Sequence, residues 1–239
     1  MSYIYLKKEA SAKKGFTPKQ RKIFAYFLFL SGLFFFSSAL LPILRFQFEY
    51  SFRFNQLINP LSNKFYNQSG SILGELSTDY TQLSNWFVST PPSDSTSLPS
   101  GTSSSYTLSI PSLKIKDAVV EIGSMDLKKS LIQYPQTALP GQPGNAVVFG
   151  HSVLPQFFNP KSYLTIFSTL YRLKPGDEIL INFDGVSYRY LVDEMFEVQP
   201  TNLSVLEQRF DAKYLTVITC SPPGTYLRRL VVRARIVDF

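Results

Sequence analysis

Residues 214–237 read YLTVITCSPPGTYLRRLVVRARIV, and this stretch decides the fold because it holds two strand patterns joined by a turn. Both YLTVITC (214–220) and RLVVRARIV (229–237) are rich in β-branched residues, and SPPGTYLR (221–228) carries a Pro-Pro-Gly turn signal. One face of the second strand holds Leu230, Val232, Ala234 and Ile236. The other holds Arg229, Val231, Arg233 and Arg235. We expect the first face to pack in the core and the arginine face to meet solvent or a groove.

Strand patterns continue through the rest of residues 106–239. A strand, a proline turn and a second strand are predicted in YTLSIPSLKIKDAVVEIG (106–123), and a buried strand in NAVVFG (145–150). The stretch GDEILINFDGVSYRYLVDEMFEV (176–198) predicts a long hairpin with its turn at Asp184-Gly185. Only YLTIFSTLYRL (163–173) has apolar residues near helical spacing. Many short strands with one or two short helices predict a mainly β domain, either a small barrel or a sandwich.

The chain has one cysteine and one histidine, and each lies at the end of an apolar run. Cys220 ends YLTVITC, and His151 follows NAVVFG. A single cysteine excludes an intramolecular disulfide. A Cys/His zinc site is equally excluded, since such a site needs about four ligands. Cys220 is therefore either a buried small apolar residue, which is the commoner case, or a reactive thiol.

The residues around Cys220 and His151 favour chemistry. Strand ends hold reactive side chains on a fixed backbone, and Arg228 or Arg229 lies across the turn from Cys220. A thiolate is a nucleophile, histidine moves protons, and a guanidinium donates to an oxyanion. These three residue types suffice for acyl transfer through a thioester. Spacing alone leaves both interpretations of Cys220 open.

The same residues resemble the sortase family, the cysteine transpeptidases of Gram-positive-type cell surfaces. TVITC (216–220) is similar to the family signature Thr-Leu-x-Thr-Cys, with Val217 in place of leucine. Arg229, at the start of RLVVRA, matches the catalytic arginine, with Arg228 as the close alternative. LPGQPGNAVVFGHS (139–152) resembles the segment that carries the catalytic histidine, which maps to His151. The resemblance covers most of residues 107–239, in the family's order.

This resemblance implies a closed, largely eight-stranded β-barrel with short helices, and it assigns a role to each residue. Cys220 is the expected nucleophile, His151 the general acid/base, and Arg229 stabilises the oxyanion or orients the substrate. The expected substrate is a Leu-Pro-x-Thr-Gly-like sorting signal near the C-terminus of an exported protein. The acyl group would pass to an amine of a cell-wall precursor or a pilin lysine, and water would give hydrolysis.

No cofactor and no metal site are expected. Some relatives are helped by calcium, but this chain shows no convincing acidic cluster. Glu194 and Glu197 lie close in sequence, and we interpret them as solvated strand carboxylates.

Basic charge is concentrated at the N-terminus. Residues 1–22 hold seven Lys or Arg and one Glu, so this tail carries +6 of the formal net charge of +7. The near-neutral remainder gives no reason to expect a nucleic-acid partner.

Residues 23–44, IFAYFLFLSGLFFFSSALLPIL, contain no charge and would span about 33 Å as a helix. We expect an uncleaved single-pass anchor in the lipid bilayer, with a cytoplasmic N-terminus and an extracytoplasmic catalytic domain. The alternatives are a cleaved signal peptide, whose apolar core is usually shorter, and a core helix, which would have a polar face.

The predicted order is therefore a basic cytoplasmic tail (1–22), a transmembrane helix (23–44), a juxtamembrane region with a Ser/Pro-rich linker (45–105), and a sortase-like catalytic domain (106–239). Within the linker, residues 89–105 have the composition of a flexible spacer. The main alternative function is a membrane-anchored, non-catalytic binding or assembly module on a sortase-like barrel. A cysteine protease on another fold is a weaker one.

Overall fold

The computed structural model describes residues 17–54, 79–86 and 104–237. The chain divides into two compact units, residues 1–55 and 56–239. Most of the predicted basic tail and nearly all of the predicted spacer at 89–105 lie outside the described residues.

The described part of the first unit contains one long helix, α1 (Pro18–Phe54), which extends beyond the predicted 23–44 at both ends. It begins with a reciprocal cap, in which the Thr17 backbone N–H donates to the Gln20 side chain and the Gln20 N–H donates to the Thr17 hydroxyl. Pro18 follows as the first helical residue, where its missing N–H costs nothing. The helix is long and apolar enough to cross a membrane. Its most apolar window is unburied within the chain, unlike that of a core helix.

The second unit is a closed eight-stranded β-barrel, which confirms the predicted fold. Its strands are β1 (Ser105–Ile110), β2 (Ile115–Ile122), β3 (Leu131–Gln133), β4 (Gly144–Phe149), β5 (Glu178–Phe183), β6 (Val186–Val198), β7 (Lys213–Ser221) and β8 (Arg228–Val237). Around the barrel they follow the order β1-β2-β3-β4-β7-β8-β6-β5, and β5 pairs back onto β1 to close it. The pairs β2–β3 and β4–β7 are parallel, and the other pairs are antiparallel.

Turn chemistry explains the predicted hairpin. β5 and β6 are joined at Asp184-Gly185, and both turn residues have positive φ, 54° and 77°. This is the backbone of a two-residue type I′ turn, whose twist suits a hairpin. β1 and β2 are likewise joined by the predicted proline turn, a short 3-10 helix at Pro111–Leu113.

Residues 163–173 form turns and a 3-10 helix at Leu170–Arg172 rather than an α-helix. The apolar spacing correctly marked Phe167, Leu170 and Tyr171 as buried, although Leu164 is exposed. One turn of 3-10 helix buries the same side of the chain as a turn of α-helix, so the pattern did not separate the two.

β7 is buried on both faces along almost its whole length. One face, with Ile218 and Cys220, belongs to an apolar cluster that also contains Trp86 and Val205. These last two come from segments that are not barrel strands, so β7 is covered on this side as well as within the barrel.

On β8, Leu230, Val232 and Ala234 are buried as predicted. The predicted arginine face is mixed. Arg233 and Arg235 pair with carboxylates on β6, whereas Arg229 is buried.

Candidate active site

The parallel pair β4–β7 brings Cys220 and His151 to the same end of the barrel. Phe149 and Ile218 are register partners, and the Gly150 N–H donates to the Ile218 carbonyl at 3.1 Å. His151 and Cys220 therefore both lie two residues beyond this last pair, one on each chain. The Ser152 hydroxyl continues this pairing by donating to the Cys220 carbonyl at 3.0 Å. Backbone and side-chain hydrogen bonds together fix the end of β4 against the end of β7.

The antiparallel pair β7–β8 places Arg229 directly opposite Cys220. Arg228 lies opposite Ser221 instead. Side chains directly opposite each other in a ladder share a face, and neighbours along one strand alternate between faces. The two consecutive arginines therefore project from opposite faces of β8, and Arg229 is the one on the cysteine side.

Backbone carbonyls hold the Arg229 guanidinium, whose residue is only 1% exposed. Its Nη2 donates to the Trp86 carbonyl at 2.8 Å, and its Nη1 donates to the carbonyls of Tyr226 at 3.2 Å and Arg228 at 3.1 Å. The guanidinium carbon also lies 5.0 Å from the centre of the Trp86 ring, within cation–π range. The Nε is buried and has no hydrogen-bond partner among the described residues.

His151 is buried and has a defined tautomer. Its Nδ1 lies 3.0 Å from the Ser152 carbonyl oxygen. A carbonyl only accepts, so Nδ1 carries the proton of the neutral ring and Nε2 is left as the base. Burial lowers the pKa of His151, while the Ser152 hydrogen bond and the charge of Asp79 act in the opposite direction.

Cys220 is fully buried, and burial raises its thiol pKa from the ordinary 9.0 to about 11. The charge of Arg229 opposes this shift by favouring the thiolate. Both shifts favour the uncharged thiol and the uncharged imidazole at neutral pH, and the cation that favours the thiolate is the ladder partner of Cys220.

A short segment outside the predicted catalytic domain, residues 79–86, covers this site. Tyr80 stacks on Tyr226 with ring centres 3.9 Å apart, and the Trp86 indole N–H donates to the Tyr80 carbonyl at 2.7 Å. Trp86 also packs edge-on against Phe149. Sequence reasoning missed this segment, although Trp86 is the only tryptophan of the chain and stands in a polar stretch.

The two carboxylates that we interpreted as solvated behave differently. Glu194 is 49% exposed and pairs with Arg233, as expected of a strand carboxylate in solvent. The side chain of Glu197 is only 5% exposed, so that interpretation is wrong for this residue. It accepts a hydrogen bond from the Ser221 hydroxyl and pairs with Arg228 at 3.7 Å. Within the described ranges no group of three or more His, Cys, Asp or Glu side chains is placed to hold a metal ion.

Comparisons with known proteins identify the family of this barrel. A family model for the sortase domain matches residues 108–237. Among solved structures, the chain is similar to sortase C-1 from Actinomyces oris, with 27% identity, a TM-score of 0.50, and coverage of 56% of this chain and 73% of that one.

The chain is also similar to sortase A from Corynebacterium diphtheriae, with 29% identity, a TM-score of 0.50, and coverage of 58% of this chain and 62% of that one. A lid mutant of that sortase gives 28% identity, a TM-score of 0.50, and coverage of 59% and 73%. No curated protein matches the chain significantly.

The family match spans more than half of the chain and includes every strand that carries the candidate site. It contains the cysteine strand, the histidine that follows β4, and the arginine strand in their expected order. The protein belongs to the sortase family.

Proposed function

We propose that this protein is a membrane-anchored cysteine transpeptidase that cleaves an LPXTG-like sorting signal of exported proteins and transfers the acyl group to an amine. The observation that carries the proposal is the placement of Cys220 opposite Arg229, with His151 at the end of the neighbouring parallel strand. These side chains supply a nucleophile, a cation and a proton carrier at one end of the barrel.

The first step begins from the neutral pair. His151 Nε2 takes the thiol proton as the Cys220 sulfur attacks the carbonyl carbon of the residue before the scissile bond. Proton transfer during attack suits a thiol whose pKa is about 11 and an imidazole whose pKa is lowered, because a stored thiolate–imidazolium pair is disfavoured by burial.

Arg229 supports the charge that forms on the carbonyl oxygen. Its Nη atoms are occupied by carbonyls, whereas its buried Nε–H has no partner among the described residues and remains available as a donor. A fixed, buried donor stabilises an oxyanion strongly, because no reorganisation is needed when the charge appears.

Collapse of the tetrahedral intermediate breaks the peptide bond and leaves a thioester on Cys220. The imidazolium of His151 gives its proton to the departing amine. An incoming amine, from a cell-wall precursor or a pilin lysine, then attacks the thioester while His151 removes its proton, and the thiol is restored. Water in place of the amine would give hydrolysis. The reaction needs no redox partner.

The anchor agrees with this activity. A helix that can cross a membrane would keep the enzyme next to proteins as they are exported, and the basic tail predicts a cytoplasmic N-terminus and an extracytoplasmic barrel.

A fluorogenic sorting-signal peptide, given with and without an added amine, tests the proposal. We expect thiol-dependent cleavage, a shift from hydrolysis to transfer when the amine is present, and loss of both in Cys220→Ala. Mass spectrometry of the wild-type protein should show an acyl adduct on Cys220. Undiminished cleavage by Cys220→Ala would exclude the nucleophile.

The alternative of a non-catalytic binding module is favoured by one observation, the complete burial of Cys220. Persistent absence of the acyl adduct across a peptide library would support that module.

A further inference from the structure

We propose that Glu197, together with Ser221 and Arg228, is a positioning set that keeps Cys220 and Arg229 aligned for the reaction. The inference rests on the proposed function of those two residues. None of the three is expected to touch the substrate, since they lie on the opposite face of the sheet from the sulfur.

Register places the three residues one step away from the site on each strand. Ser221 follows Cys220 on β7, and Arg228 precedes Arg229 on β8, where the two are ladder partners. On β6, Glu197 lies opposite Leu230, the next residue of β8 on the same face as Arg228. One carboxylate thus contacts side chains from both strands that hold the nucleophile and the cation.

Each of the two carboxylate oxygens of Glu197 contacts one of these side chains. Oε1 accepts from the Ser221 hydroxyl, and Oε2 lies 3.7 Å from Nη1 of Arg228. A charge that is 5% exposed is stable only when it is paired and hydrogen-bonded, and these contacts meet that need. Arg228, at 28% exposure, is the less enclosed partner of this pair.

Arg228 and Arg229 are neighbours in sequence, but their guanidinium groups contact different kinds of partner. Arg228 is neutralised by a carboxylate, whereas the contacts of Arg229 are neutral carbonyls and an indole ring. Arg229 therefore keeps its full charge for the sulfur. Without Glu197, Arg228 and Ser221 would each lose one contact, and both strands would lose a fixed point next to the site.

A small displacement at this position has a large kinetic effect, because a misplacement of about 1 Å can cost roughly 100-fold in rate. We expect Glu197→Gln to lower kcat for peptide cleavage roughly 10-fold to 100-fold, with KM changed less than about twofold. A matched control exists on the same two strands. Glu194→Gln removes the carboxylate of the Glu194–Arg233 pair, away from the site, and should leave kcat and KM near wild type.

Retention of kcat by a conservative variant distinguishes a positioning role from a general loss of stability. Arg228→Lys keeps the charge opposite Glu197 and should retain most of kcat, whereas Arg228→Gln should match Glu197→Gln. The double variant Glu197→Gln/Arg228→Gln should lose little more kcat than either single variant, because both substitutions remove the same interaction.

Wild-type kcat in Glu197→Gln, or full additivity of the losses in the double variant, would overturn the proposal. If Glu197→Gln does not fold, Ser221→Ala decides, and wild-type kcat there would likewise overturn it.

Alkylation of Cys220 gives a readout that does not depend on transpeptidation. Cys220 is the only cysteine, so iodoacetamide labelling followed by mass spectrometry reports on one thiol. At a fixed alkaline pH, displacement of Arg229 removes a cation that favours the thiolate, and alkylation should slow in Glu197→Gln but not in Glu194→Gln. Faster or unchanged alkylation would mean loosened packing only and would contradict the proposal. If Glu197→Gln slows alkylation as expected but the wild-type protein cleaves no peptide, the positioning proposal stands and the proposed function is rejected.

Discussion

The Arg229 guanidinium is a buried cation held by uncharged groups. Three backbone carbonyls and the Trp86 ring surround it, and no ion pair among the described residues includes it. Burial lowers the pKa of Arg229, and the neighbouring Cys220 and Tyr80 act in the opposite direction. A cation in this setting gains most from an anion that forms nearby, either a thiolate or an oxyanion.

Arg229→Lys tests this role of the guanidinium. Lysine keeps a charge but cannot reproduce a planar fork that donates to three carbonyls and still presents Nε–H. We expect kcat to fall roughly 100-fold to 1000-fold, as when an oxyanion donor is removed. Steady-state peptide cleavage measures it, and Arg235→Lys, an exposed arginine of the same strand, is the control. Equal activity of Arg229→Lys and wild type would show that a point charge suffices.

The thiol of Cys220 should titrate abnormally. We expect the alkylation rate of the folded protein to rise with a midpoint near pH 11, because burial raises the pKa to about 11 from the ordinary 9.0. The urea-unfolded chain should give the ordinary midpoint and serves as the reference. A folded-state midpoint at or below the ordinary value would mean that the thiol is solvated or held as a thiolate.

Cys220 and His151 limit the pH range in which the folded protein is most stable. The folded-state pKa of Cys220 is raised, so its contribution is present below the ordinary thiol pKa and is lost as pH rises through about 11. The folded-state pKa of His151 is lowered, so its contribution is present above the ordinary 6.5 and is lost as pH falls through the folded-state value. Both groups therefore favour the folded state between these ordinary values.

At the scale of elements, two parallel strand ends and one antiparallel ladder build the site. β4 and β7 deliver His151 and Cys220, and β8 delivers Arg229. Gly150, the residue after β4, lets the side chains of Phe167 and Leu131 pack closely against the backbone next to His151. A Cβ at Gly150 would lie 2.2 Å from a ring carbon of Phe167 and 2.7 Å from a methyl carbon of Leu131.

Gly150→Ala and Gly185→Ala should therefore both lower the free energy of unfolding, but for different physical reasons. Gly150 has no room for a methyl group, so overpacking should cost about 1–3 kcal/mol and displace the adjacent His151, with a loss of kcat. Gly185 has open space but a φ of +77°, so alanine there should cost about 1–2 kcal/mol of backbone strain and leave kcat unchanged. Urea unfolding and peptide cleavage measure both variants. A wild-type kcat in Gly150→Ala would contradict the first explanation.

At the scale of the molecule, strand patterns and turn signals predicted a mainly β domain, and the resemblance to sortases supplied the closed barrel. The Asp184-Gly185 turn and the alternation in β8 depend on residues that are adjacent in the chain, so the sequence predicts both directly. β3 was missed because three residues do not establish a period. Cys220 and Arg229 became ladder partners as their shared hairpin implied. Contacts between distant segments were not predictable in this way, because neither Trp86 over Arg229 nor Glu197 beside Arg228 follows from spacing.

The orientation in the membrane is a prediction for the whole chain. Seven cations before the uncharged stretch at 23–44 and few charges after it should place the barrel outside the cytoplasm. Protease treatment of intact cells, or of right-side-out vesicles, should digest or shed the barrel, while a tag at the N-terminus stays protected until detergent is added. A barrel protected on the cytoplasmic side would reverse the assignment.

Closure of the barrel also restricts how this protein meets other chains. Each strand from β1 to β8 has a hydrogen-bonded neighbour on both sides, so the sheet has no edge strand to offer. An extended peptide therefore meets no strand that is unpaired along its whole length, although β3 covers only Val120–Ile122 of β2. The same closure protects the barrel against unwanted strand-to-strand association with other proteins.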